Sequence, residues 1–178
     1  MNLAGRIGAL AALLAFSPLF GVIALAIRLD DGGPVLFRQI RVGRYGRHFT
    51  MYKFRSMRSA HGLPLTCEGD PRVTRVGRQL RATKLDELPQ LWNIVCGEMA
   101  WIGPRPEIPE FVSMDDPLWQ QVLQFLPGLA DAASVEFREE EKLLASVADP
   151  QEYYRREILP RKLRISIEHA LRRSPHDD

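Results

Sequence analysis

The chain has 178 residues, of which 46% are hydrophobic and 26% charged, with a net charge of +2. That length suits one domain able to bury a core, and that balance excludes both a disordered chain and a many-pass membrane protein. Cys67 and Cys96 form no CxxC, and His48, His61, His169 and His176 are scattered with no HExxH, which argues against a disulfide framework or a zinc site and for a reducing cytosolic face.

Residues 7–27, IGALAALLAFSPLFGVIALAI, carry no charge. At about 1.5 Å per residue the run reaches about 31 Å, enough to cross a bilayer core as a straight helix. Ser17-Pro18 stands at its centre, where proline removes a backbone hydrogen bond and bends a helix. The two halves, each about 15 Å long, would then reach the midplane and return. Ala24-Leu25-Ala26 resembles a signal-peptide cleavage site, but Arg6 alone is a thin positive n-region. Arginines flank both ends, consistent with both ends on the cytoplasmic face. On these residues the crossing and re-entrant readings stand level.

The small net charge conceals a division: residues 28–84 carry +9 and residues 85–178 carry −8. A basic segment followed by an acidic one suggests an anion-binding surface supplied with specific acids, although the two halves could also simply pair with each other. Residues 32–57, GGPVLFRQIRVGRYGRHFTMYKFRSM, predict two short strands around a turn at Gly43–Gly46. Phe49, Met51, Lys53 and Arg55 share one face of the second strand. Arg38, Arg41, Arg44 and Arg47 recur every third residue, a cationic rim suited to phosphate or to anionic headgroups, or a charge-protected hairpin edge.

Gly62, Pro64, Gly69 and Pro71 predict a loop over 59–71. Arginine then recurs at 72, 75, 78 and 81, and apolar spacing predicts a helix over about 73–83 and another over about 86–95. The stretch between and after them, KLDELPQLWN, sets Asp86 beside Glu87. Neighbouring side chains on a helix point about 100° apart, so these acids are badly placed to share a proton. An ordinary helix start explains them locally: an N-cap, a first-turn acid worth about 0.3–1 kcal/mol, and an early proline. Cations near such a start also suit a metal-bound phosphate. Gly103-Pro104-Arg105-Pro106 cannot be regular helix, and its prolines hold Arg105 in a stiff loop. Beyond it, Leu163, Ile167 and Leu171 have helical spacing, fitting either a surface amphipathic helix or a core-facing one.

Together, the apolar segment broken at Ser-Pro, PVLFRQIRVGRYGRHFTMYKFRSM, and DPRVTRVGRQLRATKLDELPQLWNIVCGEMAWIGPRP resemble the bacterial sugar transferases, the monotopic phosphoglycosyl transferases. The resemblance runs from residue 1 to about residue 112. It implies transfer of a sugar 1-phosphate from a UDP-sugar to polyprenyl (undecaprenyl) phosphate at the cytoplasmic face of the bacterial inner membrane, an early step in exopolysaccharide or related glycan assembly. It further implies Asp86 as nucleophile, with a covalent phospho-sugar intermediate, and Glu87 as the magnesium acid beside Asp86. Arg81 corresponds to a phosphate contact, Lys53 and Arg55 belong to the KFR strand, and Pro104, Arg105 and Pro106 to the nucleotide loop.

The implied fold is α+β and mostly helical: a re-entrant helix over 1–29 turning at Ser17-Pro18, then a catalytic domain over 30–178 with a small β-hairpin, cytosolic helices and an amphipathic C-terminal region. Expected partners are the UDP-sugar, polyprenyl phosphate and the lipid bilayer, with no nucleic acid; a homodimer is compatible with the sequence. After Pro127-Gly128 the Gly-Arg-Asn of many relatives is missing and an acidic EFREEE stretch stands nearby, so the resemblance assigns no sugar contact. The rival reading is a non-catalytic membrane module that uses residues 28–84 to bind anionic lipid or nucleic acid. That reading leaves Asp86, Glu87 and the GPRP loop unexplained.

Overall fold

The structure, a computed structural model, describes residues 3–58 and 65–172. His61, His176 and part of the predicted 59–71 loop lie outside these residues. The apolar run forms two helices, α1 (Leu3–Ala15) and α2 (Ser17–Asp31), bent by 58°. The break falls at Phe16, just ahead of Ser17-Pro18. Pro18 occupies the first turn of α2, where its missing N–H has no helical partner to lose, and Ser17 Oγ donates to the Leu14 carbonyl at 2.7 Å. No single described helix is long and apolar enough to cross a membrane; the bent pair meets that criterion only together.

One face of each helix is buried. Ala9 of α1 packs with Leu91, Ile94 and Met99, whereas Ile23 and Ile27 of α2 pack with Phe54 and Leu80. Leu3, Ile7, Leu10, Leu14, Val22, Leu25 and Leu29 remain exposed. The foot of α2 is tied down: Asp31 pairs with Arg55, and Asp30 accepts the Val76 N–H at 3.0 Å.

The predicted hairpin is present as β1 (Leu36–Val42) and β2 (His48–Phe54), antiparallel with Leu36 opposite Phe54. A 3-10 turn over Arg44–Gly46 joins them. The arginine rim is divided, however. Arg41 turns inward to Glu107 and the Pro106 carbonyl, while Arg44 bonds the Gln124 carbonyl.

Helix α3 (Arg75–Thr83) begins two residues later than the spacing suggests, because Thr74 caps it by accepting the Gly77 N–H at 2.9 Å. Gly77 is required there: a Cβ would lie 1.9 Å from the Ser56 carbonyl oxygen. The second predicted helix is not one α-helix. Lys84 adopts the left-handed conformation (φ 58°) and ends α3, after which Leu85–Gln90 winds as 3-10 helix around Pro89 before α4 (Leu91–Cys96). Lys84 therefore holds the N-cap position, and no side chain caps the 3-10 turn. The local expectation that Asp86 caps a helix is overturned.

A second small sheet pairs β3 (Ala100–Ile102) in parallel with β4 (Gly128–Ala130). Gly103 and Gly128 cross so closely that a Cβ on Gly128 would lie 2.0 Å from the Gly103 nitrogen. The rest is helical: α5 (Pro117–Val122), α6 (Ala132–Glu136), α7 (Glu140–Ala145), α8 (Pro150–Tyr153), a π-helical turn (Tyr154–Ile158) and α9 (Leu159–Arg172). Leu163 and Ile167 are buried with Trp119 and Leu144, whereas Leu171 is exposed. Of the two readings of this helix, the core-facing one holds for all but its last turn. The architecture is α+β and mostly helical, as expected.

Candidate active site

Period-2 alternation carries Phe49 and Met51 into the core and points Lys53, next on that face, toward the 3-10 turn. Helix α4, which directly follows the turn, is tied to the strand by Asn93, the last residue of LDELPQLWN. Its fully buried amide donates to the Thr50 carbonyl at 2.7 Å, and its Oδ1 accepts the Tyr52 N–H at 3.3 Å. Sequence reading missed Asn93; its place at the end of the motif was the one available signal. The left-handed Lys84 bends the chain so that Asp86 and Glu87 face the strand instead of solvent.

The two acids then diverge. Glu87 is clamped: Lys53 Nζ lies 3.1 Å from its Oε1, and Arg105 reaches the same oxygen at 2.5 Å. Burial alone would raise the Glu87 carboxyl, but Lys53 and Arg105 outweigh it and hold it well below the usual carboxylate range. Burial and the neighbouring Arg105 bring the Lys53 ammonium down to about 8, with Glu87 offsetting only part of the effect. Asp86 is 5% exposed, and its Oδ1 has no hydrogen-bond partner. Burial raises its carboxyl, with Lys53 opposing and Glu87 adding to the rise. One acid is therefore neutralised by two cations, while the other keeps a bare oxygen.

Both acids line a cleft of about 1120 Å3 together with Lys53, Arg81 and Arg105. Arg81, at the end of α3, pairs with Glu141 of α7. The opposite wall comes from β4 and the C-terminal half, including Asp131, Ser134, Glu140 and Lys162. No sequence spacing linked these residues to the acids, because they lie some 45 to 75 positions further along the chain. The expected site residues are thus only partly brought together. Lys53, Arg81, Asp86, Glu87 and Arg105 converge. Pro104 and Pro106 flank Arg105 without lining the cleft, and Arg55 is withdrawn to the foot of α2, bonded to Asp31 and the Pro34 carbonyl.

Such a cleft can bind a polyanion through its cations, Lys53, Arg81 and Arg105 among them, and set it beside the Asp86 carboxylate. Among the described residues no three metal-ligating side chains gather, but magnesium is usually held by one or two carboxylates completed by substrate phosphates. Asp86 and Glu87 fit that mode, with Glu87 giving up part of its present pairing.

Residues 2–171 match the model of the family described as bacterial sugar transferase. A UDP-N-acetylgalactosamine-undecaprenyl-phosphate N-acetylgalactosaminephosphotransferase of Aeromonas hydrophila is 43% identical over 72% of this chain and 32% of its own length. A UDP-glucose:undecaprenyl-phosphate glucose-1-phosphate transferase of Caulobacter vibrioides is 44% identical over 67% of this chain and 47% of its own. An exopolysaccharide production protein of Rhizobium leguminosarum bv. phaseoli is 48% identical over 54% of this chain and 50% of its own. The chain spans half or less of the length of these curated relatives.

Proposed function

The chain belongs to the bacterial sugar transferase family, and on that premise we propose that it moves a sugar 1-phosphate from a UDP-sugar to polyprenyl phosphate through a phospho-sugar held on Asp86. The observation that carries this reading is the pairing of a buried, unpartnered Asp86 Oδ1 with three cleft-lining cations, Lys53, Arg81 and Arg105. Relatives named as transferases of sugar phosphates to undecaprenyl phosphate support the choice of donor and acceptor.

In this reaction the Asp86 carboxylate attacks the phosphorus attached to the sugar, the bond to the bridging oxygen breaks, and UMP leaves with that oxygen. A phosphate oxygen of the lipid then attacks the same phosphorus, and the Asp86–phosphorus bond breaks to restore the carboxylate. An ionised carboxylate needs no general base, so the obstacle is repulsion between two anions. Lys53, Arg81 and Arg105 offset that repulsion. Magnesium, held by Glu87 and Asp86, would supply further charge neutralisation at the diphosphate. Glu87 meanwhile keeps Lys53 and Arg105 apart and oriented.

The bent α1–α2 pair, with its exposed leucines, supports a re-entrant insertion from the cytoplasmic face, with the catalytic part, residues 30–178, lying on that face of the inner membrane. The test is a panel of UDP-sugars mixed with the protein without lipid. UMP release approaching one equivalent, with a matching mass increase on Asp86, is the expected result. UMP appearing only after polyprenyl phosphate is added would replace the covalent route with direct transfer. Binding without any release would favour the non-catalytic module.

A further inference from the structure

Beside the cleft lies a buried polar chain that the proposed reaction leaves unused. Glu107 directly follows Gly103-Pro104-Arg105-Pro106 and is its hub. Its Oε1 accepts a hydrogen bond from the Tyr154 hydroxyl, its Oε2 lies 3.4 Å from Arg41 Nη1, and its backbone carbonyl accepts the Val42 N–H at 2.9 Å. Arg41 also donates to the Pro106 carbonyl at 3.0 Å. Behind Tyr154, Lys162 Nζ lies 3.5 Å from the hydroxyl and 2.9 Å from Glu140. Glu107 and Tyr154 are 8% and 2% exposed.

We propose that Tyr154 and Glu107 are positioning residues for Arg105, fixing the backbone of the loop just after it; this rests on the reading of Arg105 as a phosphate contact. Three observations point the same way. A buried ionic cluster is a poor stabiliser, since well-packed apolar side chains often do as well or better, so its presence calls for a geometric role. All its bonds to the loop fall on Pro106 and Glu107, the two residues after Arg105. Tyr154 also begins the π-helical turn that interrupts the C-terminal helix, and such turns are frequent at functional sites. The hydroxyl remains a donor at any working pH, because burial and then Glu107 push its titration far upward.

The loop is thus held from two sides. Gly128 N–H bonds the Pro104 carbonyl at 2.9 Å from β4, and the Arg41–Glu107–Tyr154 chain holds the other end. Neither of these ties touches the guanidinium, which is held by Glu87 and lines the cleft.

The experiment is a double-mutant cycle of Tyr154→Phe and Arg105→Ala, reading both the rate of the UMP burst and the affinity for UDP by titration calorimetry. Phenylalanine keeps the ring packed on Phe111, whose centroid is 5.0 Å away, and deletes only the hydroxyl. With Arg105 present, Tyr154→Phe should slow the burst or weaken UDP by about tenfold to a hundredfold, the range a displaced contact produces. With Arg105 already alanine, Tyr154→Phe should add almost nothing, because the residue it positions is gone. Equal losses in both backgrounds, or none in either, would overturn the proposal. Glu107→Gln, which still accepts the Tyr154 hydroxyl, should retain more UDP affinity than Glu107→Ala; equal affinities would count against it. UDP binding keeps the question separate from catalysis: a wild-type protein that binds UDP but releases no UMP defeats the transfer reading, while the cycle in binding still decides the role of Tyr154.

Discussion

The two sides of the cleft are built on opposite principles. The floor, made of Lys53, Asp86, Glu87 and Arg105, comes from residues 53–105, and its charges are partly buried and clamped around one carboxylate, Glu87, whose side chain is 12% exposed. The roof comes largely from residues 131–162, and its one link to an arginine near the acids, Arg81 with Glu141, is formed by a carboxylate whose side chain is 47% exposed. Buried pairs resist exchange because separating them strands a charge in a poor dielectric; exposed pairs exchange cheaply because water replaces the partner. The floor is therefore a preset frame, and the roof offers a counter-ion that an incoming phosphate can displace.

Substitutions should sort along that division. The largest effect belongs to Asp86→Asn. Its Oδ1 makes no hydrogen bond, so the fold should survive, while the UMP burst and the covalent mass shift should fall by at least about a thousandfold, as when a nucleophile is removed. A variant working at full rate would remove Asp86 from the chemistry. Next comes Glu87→Gln. As a first-turn acid it would be almost free to replace, but the structure leaves Lys53 and Arg105 facing each other without it. A loss of about 3 kcal/mol in denaturant unfolding is expected, together with slow turnover. Unchanged stability would break the contrast between floor and roof.

Protonation sharpens the comparison further. Lys53 carries its charge below about pH 8 and loses it above, so kcat/KM should decline about tenfold per pH unit beyond pH 8. The descending limb should move to higher pH in Lys53→Arg. A Lys53→Arg profile that still bends near pH 8 would assign the limb to another group. Stability should move the other way: between about pH 8 and the ordinary lysine value of 10.5, the unfolded chain binds the proton that the folded one has lost, so folding becomes more favourable as pH rises. The smallest effect is Glu141→Gln on the roof. It should change stability by less than about 1 kcal/mol and bind UDP slightly more tightly, because Arg81 loses a competitor. Weaker UDP binding would mean that Glu141 helps hold the ligand.

What could be read in advance follows the same line. The hairpin, α3, the stiff Arg105 loop and the candidate acids were visible because each depends on nearby residues: alternation in a strand, apolar spacing in a helix, proline in a loop. The boundaries failed where one residue overruled the pattern, as when Lys84 took a left-handed conformation and turned an expected α-helix into a 3-10 turn. Arg55 looked like Lys53, two positions earlier on the same face, yet it was claimed by Asp31 at the foot of α2. The acidic stretch around Glu140 gave no sign of its partners.

By itself, then, the sequence determined which chemistry was present: a pair of adjacent acids, a supply of cations before them, an arginine held between prolines, and a broken apolar run. Only the tertiary structure decided how those charges were shared, because a carboxylate's role depends on which groups reach it through the fold. Asp86 and Glu87 are identical in local signal and differ in one respect: two cations from residues 53 and 105 close on Glu87 and leave Asp86 Oδ1 bare. That difference is electrostatic and long-range, and it exists only once the strand, the turn and the loop have met.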